Sequence, residues 1–351
     1  VFHDGLNEQD IEARGGVLKL DYDFGAATLT SITGFETLEM YSRGDIDGGY
    51  GIDLPEFGLE GGPGFIPFPS ESADGIPDID QLSRLLSAGI NIVTTCNFIT
   101  GWGLDYQANR YGPNARRRLQ VAATSGGASM FGTGINPGHI NYQACVVSSI
   151  CAQLEHLRIT EAVPDIVPFL GDPNIAAFGY GLPLDTPGLE ARQKEESAVF
   201  GDAIELMASL LAIELDEIRC RCEVAPASED FDTPGGPIAK GTIAGVRLRW
   251  EGCVGGRPVL ENQQLWICGG RVAGIEDWAG ANKHGYIVDI QGDPHVHSVT
   301  LPIPRGDLSR MTLAERNALG MRITGLPSIN AIPQVCAAAP GIRTYADIPP
   351  V

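Results

Sequence analysis

The feature that most constrains this chain is a change of pattern near residue 78. Downstream of it, three short apolar runs, "INIVTT", "ASMFGTG" and "LRITEAV", alternate with helical stretches, "DIDQLSRLLSAG", "NARRRLQVAATSGG" and "INYQACVVSSICAQLEH". Unbroken apolar runs of strand length suit strands covered on both faces. Strands separated by helices are joined by right-handed crossovers, so this stretch predicts a parallel sheet flanked by helices. In the first helix Ile79, Leu82, Leu85 and Leu86 share a face, with Asp78 before it and Gly89 after it.

Upstream, "GGVLKLDYDFGAATLTSITGFETLEMYSRGDIDGG" alternates apolar and polar residues on either side of Gly25-Ala26-Ala27, the pattern of a β-hairpin. The Gly- and Pro-rich "GLEGGPGFIPFPSESADGIP" that follows predicts irregular chain. Past residue 165 the pattern changes again. "ESAVFGDAIELMASLLAI" reads as one long amphipathic helix. "DEIRCRCEVAPA", "GTIAGVRLRWEGCVGGRPVLENQQLWICGG" and "HGYIVDIQGDPHVHSVTLPI" read as alternating strands with turns at Gly255-Gly256 and Gly292-Asp293-Pro294. An open antiparallel sheet with helices on one face fits them. "ERNALGMRITGLPSINAIPQVCAAAPG" reads as a helix returning to the first domain.

Charge excludes some functions. With 44 acidic against 24 basic residues and a net charge of −20, sequence-independent nucleic-acid binding is not expected. The basic run Arg116-Arg117-Arg118 reads as a solvated helix face rather than an anion site. No run reaches the roughly 18 apolar residues of a membrane helix, and no basic region followed by an apolar core opens the chain. The chain begins at Val1 without an initiator Met, so it reads as a candidate fragment. Eight scattered cysteines without a C-x-x-C predict reduced thiols and a cytoplasmic protein. Cys220 and Cys222 are expected on one face of a strand.

Five places carry candidate chemistry. "SMFGTGINPGH" offers Gly132, Gly134 and Gly138 after a strand, with a helix behind them. Its G-x-G-x-x-x-G spacing and Pro137 make it a poor phosphate cradle, because proline donates no N–H. As a strand-end loop at the carboxyl edge of a parallel sheet it can still line a ligand site. Thr94, Thr95 and Cys96 end the preceding strand at the same edge, either as ligand-bonding groups or as a strand cap. Glu161 ends the next strand and is a candidate acid or base, or a salt-bridged strand end. His139, just after the glycine loop, is a candidate proton donor. His295 and His297 share a strand face near Asp293, but metal needs a third converging ligand, so no metal site is expected.

From about residue 78 to 351 the chain resembles the dihydrodipicolinate reductase-like family, with amine and diaminopentanoate dehydrogenases as more distant relatives. The carriers are "NIVTTCNFITG", "GGASMFGTGINPGH", "AVFGDAIELMASLLAIELDEI", "GTIAGVRLRW" and "LPSINAIPQVCAAAPGIRTYADIP". The resemblance implies a dinucleotide-binding domain before an α+β domain, NADP or NAD as cofactor, a small-molecule substrate, and reduction of a C=O or C=N group in the cleft. It places Thr94, Thr95 and Cys96 beside the nicotinamide, with Cys96 standing where the family has Gly. It places Gly132, Thr133, Gly134 and Asn136 near the ring, and Glu161 at the start of the reductases' Glu-Ala-His-His segment, where Val163 and Pro164 replace the histidines. Glu161 and His139 are the catalytic candidates.

Residues 1–77 instead resemble a piece of a TonB-dependent outer-membrane receptor, through "LKLDYDFGAATLTSITGFE", "SRGDIDGG" and "IPFPSESADGIPDIDQLS". The expectation is therefore a chimera: a β-rich segment over 1–77, the second half of a dinucleotide domain over 78–164, an α+β substrate and oligomerisation domain over 165–320, and a returning helix and tail over 321–351. The fold class expected is α/β plus α+β, with a partial Rossmann-like parallel sheet before an open antiparallel sheet. Lacking the family's phosphate loop, such a chain is expected to bind a dinucleotide weakly. A non-catalytic binding or assembly module and a receptor fragment are the alternatives. Exposed sheet edges predict a tendency to dimerise.

Overall fold

The computed structural model describes residues 8–23, 28–43, 79–95, 99–171, 173–304 and 313–348. They fall into two compact units, 1–47 and 48–351. The first holds an antiparallel hairpin, β1 (Glu8–Asp23) and β2 (Thr28–Arg43), in register from Glu8 opposite Arg43 to Asp23 opposite Thr28. The strands agree with the alternation in the sequence, and the expected Gly25-Ala26-Ala27 turn lies outside the described residues.

The second unit opens with α1 (Ile79–Ser87), β3 (Ile92–Thr94), α2 (Trp102–Tyr106), α3 (Ala108–Tyr111), α4 (Ala115–Gly126), β4 (Ser129–Gly132) and α5 (His139–Ser148). Next come β5 (Gln153–Val163), α6 (Pro173–Ala176), α7 (Leu189–Glu196), α8 (Ala198–Leu211), β6 (Glu217–Pro226), β7 (Phe231–Thr233) and β8 (Gly236–Ile238). The chain continues through β9 (Ile243–Val254), β10 (Arg257–Ile267), β11 (Gly285–Asp293) and β12 (Val296–Thr300). It closes with α9 (Leu313–Asn330), α10 (Ile332–Ala337) and β13 (Gly341–Arg343).

A three-stranded parallel sheet forms in the order β13-β4-β3. Met130 and Ile92 pack with Leu82, Leu86 and Leu119 of α1 and α4, while Phe131 packs with Val335 and Tyr345 on the other side. Both faces are thus covered, as the continuous apolar runs required. The basic run lies on the outer side of α4, whose Ala115, Leu119, Ala122 and Ala123 are buried. There Arg118 pairs with Asp80, and Arg116 with Glu205 at 3.1 Å.

The second sheet has six strands in the order β12-β11-β5-β10-β9-β6. Two expectations are corrected here. "LRITEAV" does not extend the small parallel sheet; it belongs to β5, between β10 and β11. Because β5 runs parallel to β10, the large sheet is mixed rather than antiparallel. Periodicity identifies a strand but says nothing of its partner. One boundary also differs: Gln153–His156, read as helix, begin β5. The long helix expected over 196–213 is α8, and α7 is an added helix that meets it at Ser197. β13 is an added strand in the tail that follows the expected returning helix.

One face of the large sheet meets α5 and α8 over Leu157, Ile159, Leu248, Trp250 and Leu260. On the other face, alternate positions pair charges: Arg219 and Arg221 with Glu251 at 2.8 and 3.1 Å, Arg247 with Glu223 at 2.6 Å, and Arg158 with Glu261 at 3.2 Å.

α8 is the hinge of the packing. A Cβ on its Gly201 would lie 2.5 Å from the Trp102 ring and 2.7 Å from that of Trp250. Overpacking of this kind costs about 1–3 kcal/mol, so Gly201→Ala should lower the unfolding free energy by that amount, read as a lower urea midpoint with an unchanged m-value. Asp202 is fully buried beside it and accepts a 2.8 Å bond from Thr100 N. Burial pushes its pKa up from 3.8 to about 6 against the hydrogen bonds from Thr100. Its favourable contribution is complete below the unfolded pKa and is lost as pH rises through about 6, amounting to about 3 kcal/mol over the window. Asp202→Asn should remove that pH dependence, read as urea unfolding at a series of pH values from 4 to 8.

Candidate active site

The loop after β4 folds back on itself. Gly134 N donates to Pro137 O at 3.0 Å, His139 N to Gly134 O at 2.9 Å, and Ile140 N to Ile135 O at 2.9 Å. Gly138 has φ +129°, and a Cβ there would come 2.3 Å from Thr133 Oγ1. Its N–H is also taken, by Asn141 Oδ1 at 2.6 Å. These donors are committed inside the loop, so a dinucleotide's phosphates do not fit it as a cradle.

The carboxyl ends of β3 and β4 are covered as well. Thr133 N donates to Thr94 O at 2.9 Å, and Ser328 Oγ of α9 reaches Thr94 O at 3.1 Å and Thr133 O at 2.8 Å. Thr324 stands over Gly134, its Cγ2 3.4 Å from where a Cβ would sit. Thr133 Oγ1 bonds the Tyr345 hydroxyl at 2.8 Å. Thr94, Gly132, Thr133 and Gly134 are all buried, whereas Thr95 is exposed. Cys96 lies outside the described residues.

Asn136 is where the loop meets the large sheet. Its Nδ2 donates to Glu161 Oε2 at 2.8 Å, and its Oδ1 accepts from Asn262 Nδ2 at 3.2 Å. Asn262 Oδ1 accepts from Gln264 Nε2 at 3.0 Å. On the other side, Trp266 Nε1 donates to Glu161 Oε1 at 3.1 Å. Every N–H in this row points along one direction, from Gln264 toward the carboxylate, and aligned bonds of this kind strengthen one another. The row ends at Gln264 Oε1, which is buried and has no hydrogen-bond partner among the described residues.

β5 and β10 create the row. In their parallel register Glu161 lies opposite Gln264, and across β11 it lies opposite Tyr286. Burial raises the Glu161 pKa above the usual carboxylate value, opposed by the bonds from Asn136 and Trp266. Burial and then the Glu161 charge push the Tyr286 phenol upward. His139 starts α5, half-buried, and burial lowers its pKa. No hydrogen bond joins it to Glu161 or Asn136. The structure therefore brings Asn136 and Glu161 together, keeps Thr94 and Thr133 adjacent through the backbone, and leaves His139 apart.

Asn262, Gln264, Trp266 and Tyr286 were not among the residues expected from sequence. Their signal was "ENQQ", four polar residues inside the otherwise apolar run "VLENQQLWI". Among the described residues no group of three or more His, Cys, Asp or Glu side chains gathers to hold a metal; His297 instead meets Asp289 at 2.5 Å. No described helix is long and apolar enough to cross a membrane. A cavity of about 530 Å³ lies elsewhere, between Thr100, Arg116, Arg117, Glu205 and Thr344.

Asn136→Ala should cost about 1–3 kcal/mol, because it leaves Asn262 Nδ2 without an acceptor and the buried carboxylate short of a donor. The lost donor favoured the charged form, so the cost should be larger at pH 8 than at pH 5. Urea unfolding at both values checks the sign.

The family model described as 2,4-diaminopentanoate dehydrogenase C-terminal domain matches residues 142–351. A protein named amine dehydrogenase from Streptomyces virginiae is 26% identical over 294 residues, which is 79% of this chain and 75% of that one. A 2,4-diaminopentanoate dehydrogenase from Acetoanaerobium sticklandii is 24% identical over 243 residues, 68% of this chain and 62% of its own length. Among solved structures, the amine dehydrogenase from Mycobacterium smegmatis superposes with a TM-score of 0.55 at 18% identity, covering 77% of this chain and 72% of that one. That likeness shows a shared fold.

Proposed function

The chain belongs to the 2,4-diaminopentanoate dehydrogenase C-terminal domain family, and from that premise we propose that it is an NAD(P)-dependent oxidoreductase acting at a carbon that bears nitrogen. The overall change is oxidation of a small amine, with water supplying the carbonyl oxygen and the nicotinamide taking the hydride, to the carbonyl compound and ammonium, with its reverse. Relatives named as amine and diaminopentanoate dehydrogenases support the class. A nicotinamide cofactor, NAD or NADP, supplies hydride transfer when bound, and Thr95 and Asn136 are the groups we assign to its ring end.

The observation that carries this reading is Glu161 on its oriented row. Loss of hydride from an amine carbon requires a proton to leave nitrogen, and an acid or base is most effective with a pKa near the working pH. Burial moves the Glu161 carboxyl toward that range, while Asn136 and Trp266 hold its two oxygens in place. Gln264 Oε1 is an acceptor without a donor, matched to an N–H. Tyr286, which burial keeps protonated, faces the same carboxylate across the strand pair. Burial lowers the His139 pKa, and no hydrogen bond joins it to this row.

Glu161→Gln should lower kcat/KM for amine oxidation by about 10²–10⁴-fold. The parent's rate should fall as Glu161 is protonated, at a pH above that of an ordinary carboxylate, and the variant should lose this acid limb. A variant with the parent's rate and the parent's pH profile would overturn the assignment. Fluorescence titration with NADH and NADPH, run on the same variant, separates a lost proton step from lost cofactor binding.

A further inference from the structure

Among the described residues β6 is an edge strand of the large sheet, bonded to β9 alone. Two residues apart on one face of it stand Cys220 and Cys222, with their sulfurs 3.7 Å from each other. Both are partly exposed, unlike Cys145, Cys253 and Cys268, which are buried. All of the described cysteines are free. We propose that Cys220 and Cys222 form a vicinal dithiol, a modification site for two-electron thiol oxidants of the peroxide class and for doubly thiophilic reagents such as trivalent arsenicals.

Three observations support the pairing. The sulfurs already touch. Two residues along a strand span about 6.6 Å between Cα atoms, at the upper end of the roughly 4.4–6.8 Å that a disulfide bridges. An edge strand can twist to close the remaining gap without breaking ladders on both sides. The surroundings also favour reaction at one sulfur. Cys222 is lowered by the hydrogen bond it shares with Cys220 and by the Lys194 ammonium, against burial and the Glu190 and Glu223 charges. Cys220, by contrast, is held up by the pair's hydrogen bond and by burial. Thiolate character decides which cysteine attacks.

The oxidation balances. The Cys222 thiolate attacks one peroxide oxygen, the O–O bond breaks, and Cys222 becomes a sulfenic acid as the other oxygen leaves as hydroxide and takes a solvent proton to become water. Cys220 sulfur then attacks Cys222 sulfur, the S–O bond breaks, and a second water leaves with the thiol proton. The two sulfurs give up two electrons in total to the peroxide. A dithiol reductant returns both thiols. A closure near the limit of its Cα span is readily reduced, so the modification is reversible.

The test uses the full chain. After brief exposure to stoichiometric hydrogen peroxide, remaining thiols are alkylated and the protein is digested without reductant. The peptide spanning 217–226 should lose two hydrogens and both alkylation sites, and recover them after dithiothreitol. Phenylarsine oxide should form one adduct per parent chain, and none with Cys220→Ser or Cys222→Ser. With Cys220→Ser, peroxide should instead leave Cys222 as a trapped sulfenic acid, a product that folding defects do not generate. In the reduced parent, Cys222 should alkylate at least about tenfold faster than Cys253. The proposal is overturned if Cys222 oxidises past sulfenic acid with Cys220 still free, if the arsenical binds both serine variants, or if neither thiol reacts. None of these readouts requires dehydrogenase activity, so the outcome stands apart from the proposed function.

Discussion

Four consecutive polar side chains, Glu261 to Gln264, run through the middle of the large sheet with none more than 4% exposed. The rest of the second unit is arranged around making that tolerable. A buried polar group without a partner costs about as much as several good contacts return. Alternation along the strand sends Glu261 and Gln263 to one face and Asn262 and Gln264 to the other. On the first face Glu261 is lowered despite its burial, because His156 and Arg158 lie against it, and Gln263 bonds Thr160. On the second face, among the described residues, Asn262 and Gln264 bond along the row through Asn136 to Glu161.

That row ties the two sheets of the second unit together. Asn136 belongs to the loop of the small parallel sheet, while Asn262 and Glu161 belong to the large mixed one. The glycines before and after Asn136 fold the loop so that its apex reaches across. They serve shape here, since Gly138 alone admits Thr133 Oγ1 at that distance. A loop that resembles a nucleotide fingerprint in sequence thus acts as a strut, tied to the large sheet through the carboxylate it bonds.

The helices were largely legible in the sequence. Ile79, Leu82 and Leu86 are the buried face of α1 as their spacing predicts, and Gly89 takes a positive φ at its end. The strands were legible as strands: Ile92–Thr94, Ser129–Gly132 and the β9–β10 hairpin at Gly255-Gly256 lie where the pattern puts them. Partnership was not. β5 carries the same apolar pattern whether it lies beside β4 or beside β10, and its place between β10 and β11 is visible only in the tertiary structure. The candidate site was half visible. Glu161 stood out by its place at a strand end and Asn136 through the family resemblance, whereas Trp266 and Gln264 join them only through a pairing 103 residues away in the chain, Gln264 with Glu161.

By itself, then, the sequence determined the local elements, because amphipathic spacing, turn residues and apolar run length act over a few residues. It also determined the kinship, carried by motifs such as "FGTGIN" and "GTIAGVRLRW". Tertiary structure alone decided which strands pair, that α9 covers the ends of β3 and β4 through Ser328, and that a carboxylate, a tryptophan and three amides form one directed row. Burial and hydrogen-bond direction are properties of neighbours distant in sequence. They set the protonation of Glu161, and no reading of residue types one after another contains them.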